Sequence, residues 1–116
     1  MEQISYKLEK FEGPLDLLLS LIAKNKIDIN DIPISLLCDQ YMDYLAKAEE
    51  MDMELSSDFL YMASELMLIK SRMLLPRDEE EEEDPRDLLA AALLEYQRAK
   101  KASVFLRSRF DEYGTR

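Results

Sequence analysis

Few side chains in this sequence could do chemistry. It has no histidine and a single cysteine, Cys38, in 116 residues. A Cys/His zinc site and an intramolecular disulfide are both excluded. The commonest general base is missing, and there is no glycine-rich phosphate loop or paired nucleophile and base. The densest titratable cluster is Asp78 to Asp84, seven consecutive carboxylates. A metal or catalytic site needs carboxylates held apart by a fold. An unbroken run repels itself and stays solvated, so this one reads as a linker. Lys70 and Arg72 lie among apolar residues. They suit either snorkelling at the edge of a core or pairing with carboxylates on a partner. Cys38 sits inside an apolar helical pattern, as a small core residue does. The sequence therefore reads as non-enzymatic, with no cofactor, metal or small-molecule substrate.

Charge narrows the partners. The net charge is −10, unevenly spread. Residues 1–76 carry 14 acids and 7 bases, residues 77–87 carry 8 acids and 2 bases, and residues 88–116 carry 3 acids and 6 bases. A body this acidic repels phosphate backbones, which argues against direct duplex DNA binding. The tail with Arg98, Lys100, Lys101, Arg107 and Arg109 is the one basic exception. Residues 1–4, Met-Glu-Gln-Ile, lack the basic and apolar regions of a signal peptide, and no apolar run is long enough to span a bilayer. The expected compartment is the cytoplasm.

The residues that carry these charges must be positioned by helices. Hydrophobic residues make up 47% of the chain, with only two glycines and four prolines. That composition favours an all-α fold of a few long helices. Residues 3–10 alternate apolar and polar, which predicts a short extended arm. Gly13-Pro14 opens a first helix over 14–24, with Asp16 in its first turn. Leu15, Leu18, Leu19 and Ile22 form one helical face, widened by Leu17 and Leu21, so the helix needs cover. Pro33 starts a second helix to about residue 49, with Ile34, Leu37, Tyr41, Tyr44, Leu45 and Ala48 as its stripe. A third helix begins near Ser56-Ser57-Asp58, with serine as its cap, and stops at Pro76.

The third helix carries two apolar stripes. Leu55, Phe59, Met62, Leu66, Ile69 and Met73 are spaced 4, 3, 4, 3, 4, a coiled-coil-like seam. Leu60, Ala63, Met67 and Leu74 lie beside it. One face can pack on the first two helices, leaving the other for a partner. Asp84-Pro85-Arg86-Asp87 opens a fourth helix to about Asp111. Its thin seam runs through Leu89, Ala92, Tyr96, Ala99, Ser103, Leu106 and Phe110, fit to fold back on the first domain or to rest in a partner's groove.

Four blocks then resemble one family. They are Phe11-Glu12-Gly13-Pro14-Leu15-Asp16-Leu17-Leu18-Leu19, Ile27-Asp28-Ile29 through Asp31-Ile32-Pro33-Ile34, Phe59-Leu60 with Met62-Ala63, and Ile69-Lys70-Ser71-Arg72-Met73-Leu74-Leu75-Pro76. Asp84-Pro85-Arg86 and Leu94-Glu95-Tyr96 continue the match. The sequence resembles the N-terminal part of bacterial segregation and condensation protein A (ScpA), the kleisin subunit of the SMC condensin complex. The resemblance implies a non-enzymatic bridging subunit in chromosome condensation and segregation, cytoplasmic and nucleoid-associated, touching DNA only through the complex.

It also implies a division of labour. Residues 1–76 would be the helical domain that binds the SMC neck, 77–85 the acidic linker, and 86–116 the start of the segment bound by a ScpB dimer. The family's C-terminal winged-helix domain is not expected here. Phe59, Met62, Leu66, Ile69, Lys70 and Met73, with Tyr41, Tyr44 and Leu45, are the expected neck contacts. Leu89, Leu93, Tyr96 and Leu106 are the expected ScpB contacts. Two rival readings are a helical domain that self-associates through its seams and a nucleic-acid binder using the basic tail.

Overall fold

The computed structural model describes residues 11–76 and 83–114, with side chains as far as Asp111. The arm at 3–10 and most of the acidic run lie outside the described residues. The described chain is all-helical: α1 Pro14–Lys24, a 3-10 turn Ile29–Asp31, α2 Ile34–Glu50, α3 Ser57–Leu74 and α4 Asp87–Gly114.

Local chemistry sets most of the boundaries. Pro14 occupies the start of α1, with Asp16 in the first turn and Lys24 in the last, so both charges oppose the helix dipole. The Asp28 carboxylate accepts from the Asn30 N–H at 2.9 Å and opens the 3-10 turn. Ile32 is extended, as a residue before proline must be, and α2 starts directly after Pro33. Ser56 stands at the cap of α3 with an extended backbone, but its side chain makes no capping hydrogen bond. Leu75 is extended ahead of Pro76 and ends α3. The fourth helix starts later than expected. The Asp84 carboxylate accepts from the Arg86 N–H at 2.9 Å, and the Asp87 N–H bonds back to the Asp84 carbonyl at 3.0 Å. Pro85 therefore belongs to a turn that feeds α4, whose first residue is Asp87.

Two helices end in the same way without glycine. At the end of α1, Lys26 has φ 54°, its N–H bonds the Ala23 carbonyl, and the Ile27 N–H bonds the Ile22 carbonyl. At the end of α2, Asp52 has φ 60°, its N–H bonds the Glu49 carbonyl, and the Met53 N–H bonds the Ala48 carbonyl. Both are Schellman motifs, and Ile27 and Met53 supply the apolar contact that goes with them.

One core joins all four helices. Leu17, Leu18, Leu21 and Ile22 of α1 meet Leu37, Cys38, Tyr41, Leu45 and Ala48 of α2. Ala63, Leu66 and Ile69 of α3 close one side, and Leu89 and Leu93 of α4 close another. The Asn25 and Gln40 amides exchange hydrogen bonds of 2.7 and 3.2 Å and fasten the end of α1 to α2. The molecule is elongated, 61 × 37 × 25 Å. A 28-residue helix such as α4 is roughly 42 Å long at 1.5 Å per residue. All described α4 residues from Arg98 to Asp111 have exposed side chains, although the Lys100 ammonium still reaches α1.

Candidate protein–protein interface

The two stripes of α3 have different fates. Leu66 is fully buried, Ala63 and Ile69 are buried, and Phe59, Met62 and Met73 pack half-buried against the core. This is the side that meets α2. The Tyr41 hydroxyl donates to the Phe59 carbonyl at 2.8 Å, closing the contact at the start of α3. Burial pushes the Tyr41 phenol well above its ordinary value, so the hydroxyl keeps its proton. Burial likewise pushes the Cys38 thiol up, against a smaller opposing effect from Lys70. Lys70 sits between the two faces, its ammonium 3.2 Å from the Asp39 carboxylate.

The other side of α3 is open. Leu60 is 52% exposed, Met67 53% and Leu74 71%, and Tyr61, Leu68 and Leu75 are exposed beside them. Leu60, Ser64, Met67, Ser71 and Leu74 are all exposed and are spaced 4, 3, 4, 3. That is heptad spacing on the solvent side of the helix, with small serines that allow a second helix to come close. Contiguous exposed apolar side chains of this kind mark interaction surfaces.

The first half of α4 is fastened to the domain at both ends. Arg86 grips Asp84 through two bonds, Nε at 3.0 Å and a second guanidinium nitrogen at 2.7 Å. Its remaining nitrogen donates to the Asp31 carboxylate at 3.1 Å and the Ile32 carbonyl at 2.8 Å. The bond to Asp84 does most to hold the guanidinium above its ordinary pKa, partly offset by desolvation. Leu89 and Leu93 enter the core. The Tyr96 hydroxyl donates to Glu12 at 3.1 Å, and the Lys100 ammonium pairs with the buried Asp16. Burial and the Glu12 bond push the Tyr96 phenol up to about 12. Beyond this point Val104, Phe105, Leu106 and Phe110 are exposed, and the Arg109 guanidinium lies over the Phe105 ring at 5.7 Å.

Comparison with known proteins gives this arrangement a family. The model of the family described as segregation and condensation protein ScpA matches residues 21–113. A segregation and condensation protein A of Listeria innocua is 46% identical over 117 residues, covering 94% of this chain and 47% of the relative. That of Caldanaerobacter subterraneus is 54% identical over 106 residues, covering 86% and 43%. That of Enterococcus faecalis is 46% identical over 121 residues, covering 97% and 46%. The chain belongs to the ScpA family. It spans just under half the length of these relatives.

As an ScpA chain, its expected contact residues fall into three groups. Tyr41, Leu45, Leu66 and Ile69, expected at the neck, are interior residues here, because α2 and α3 cover one another along that seam. Phe59, Met62, Tyr44, Lys70 and Met73 remain half-buried at its margin. Of the expected ScpB contacts, Leu89 and Leu93 are buried against the domain, Tyr96 is half-buried and bonded to Glu12, and Leu106 is 64% exposed. Sequence reasoning placed Leu60, Ala63, Met67 and Leu74 in a second stripe without making them contacts; the structure splits that stripe, burying Ala63 with Leu66 and Ile69 and leaving the other three exposed. The exposed 4, 3, 4, 3 series through Ser64 and Ser71 escaped that reasoning because two of its five members are polar. No described helix is long and apolar enough to cross a membrane.

Proposed function

We propose that this chain is the neck-binding and linker portion of a kleisin bridging subunit, acting in chromosome condensation and segregation without catalysing a reaction. The observation that carries the reading is the solvent-facing heptad stripe of α3. A two-stranded coiled-coil neck of an SMC protein accepts a further helix through such a stripe. Leu60, Met67 and Leu74 supply the apolar knobs, Leu68 flanks them, and Ser64 and Ser71 let the backbones approach. Lys70 stands at the edge of the stripe, where it can meet neck carboxylates. Met62 and Met73 border the contact. Tyr41, Leu45, Leu66 and Ile69 hold α3 in place from behind, with Phe59 and Tyr44.

The α4 helix is the segment offered to ScpB, through Leu89, Leu93, Tyr96 and Leu106. The acidic body keeps DNA contact indirect, through the assembled complex in the cytoplasm. Co-purification with an SMC head-and-neck fragment tests the α3 assignment. The unaltered chain should be retained, and the Leu60→Glu/Met67→Glu double variant should be lost with its circular dichroism unchanged. Equal retention of both would refute the stripe as the contact. A tight dimer in light scattering that ignores the SMC fragment would assign the stripe to self-association instead.

A further inference from the structure

One face of α4 has two claimants. The side chains assigned above to ScpB include Leu89, Leu93 and Tyr96, and all three turn towards the chain's own N-terminal domain. Leu93 is fully buried there. A side chain cannot be buried against two surfaces at once, so docked α4 cannot present this face to a partner. Past Leu93 the contact becomes polar. Tyr96 bonds Glu12, and Lys100 pairs with Asp16, which also accepts from the Glu12 N–H at 3.2 Å. Beside this contact α1 and α4 leave a cleft of about 400 Å³, lined by Leu19, Gln97, Lys100, Lys101 and Val104.

We infer that the Lys100–Asp16 and Tyr96–Glu12 pairs form a latch that holds α4 closed on α1 and must open before ScpB can take the Leu89–Leu93–Tyr96 face. The inference rests on the reading of α4 as the ScpB-binding segment and adds its regulation. Leu106 and Phe110 stay exposed while the latch is closed, so a partner can land on the second half of α4 before the first half is released. The apparent affinity is then lowered by the fraction of chains that are latched. It also gives Asp16 a role beyond the start of α1: it is a buried acceptor for a cation 84 positions away.

The test compares ScpB affinity of five forms of the chain. Glu12→Ala alters no α4 side chain, and Lys100→Ala removes the ion pair from the other side. Each should bind ScpB roughly three- to tenfold more tightly than the unaltered chain. Amide exchange over residues 89–100 should be faster in both variants without ScpB. Leu19→Cys/Val104→Cys joins the two walls of the cleft through a bismaleimide, with the native Cys38 buried and out of reach. Linking should weaken ScpB binding at least roughly tenfold against the same variant unlinked. Equal affinity of the linked and unlinked forms would overturn the latch. Loss of ScpB binding by the unaltered chain itself, in a binding-active ScpB preparation, would instead overturn the assignment of α4, and the latch with it.

Discussion

The Tyr41 hydroxyl donates a 2.8 Å hydrogen bond to the Phe59 carbonyl. This bond ties the middle of α2 to the first turn of α3, on the side of α3 that is buried. Leu66 and Ile69, about two and three turns on from Phe59, lie in the core. Leu60, Met67 and Leu74 lie outside it.

The two faces of α3 should respond in opposite ways to truncation. Leu66→Ala should cost about 2–5 kcal/mol of folding stability in urea titration, as large-to-small changes in a core do. Met67→Ala should stay within roughly 0.5 kcal/mol of the unaltered chain. Tyr41→Phe should cost about 1 kcal/mol through the lost hydrogen bond. Comparable losses at Leu66 and Met67 would contradict the orientation of α3.

Arg86 should be hard to replace. Its fork meets Asp84 through two bonds while its third nitrogen reaches Asp31 and the Ile32 carbonyl. Lysine has one ammonium and no fork. Arg86→Ala should destabilise by about 1.5–3 kcal/mol, the range for hydrogen bonds to charged groups. Arg86→Lys should recover less than roughly half of that loss. Amide exchange at residues 87–93 should rise in step with the loss, because this clamp holds the start of α4.

The docking of α4 should weaken in alkali. The Tyr96 phenol is raised from 10.0 to about 12, first by burial and then by its bond to Glu12. A raised phenol favours the neutral form in the fold. Its contribution is therefore complete below the unfolded value near 10 and is lost as pH rises through 12. Urea midpoints should fall over that interval, and fall less in Tyr96→Phe. Because Tyr41 is raised too, the difference between the two proteins, not the fall alone, reports Tyr96. Identical pH profiles would remove Tyr96 from the docked contact.

A glycine should help where α2 ends. Asp52 holds φ 60°, a left-handed conformation that costs a residue with a Cβ about 1–2 kcal/mol. Asp52→Gly removes that strain and gives back part of the gain through a freer unfolded chain. The expected net effect is a stabilisation of roughly 0.5–1 kcal/mol, read as a higher melting temperature. A lower one would mean that the Asp52 side chain contributes more than its backbone costs.

Helix positions and family membership are written in local residue order. Pro14, Pro33 and Pro76 each act on their immediate neighbours, so they mark starts and stops wherever the helices later pack. The two Schellman ends were less legible, because Lys26 and Asp52 stand where glycine is usual. The family blocks from Phe11 to Pro76 are likewise read residue by residue.

The site was another matter. Spacing showed that α3 carried more apolar surface than one neighbour could cover, and that α4 had a seam seeking cover. It could not say which stripe α2 would take or whether α4 would dock. Those outcomes depend on contacts between residues far apart in sequence, such as Tyr41 with Phe59 and Lys100 with Asp16. Burial is non-directional, and a stripe is satisfied by any surface that excludes water. Only the placement of all four helices together selects which surface that is.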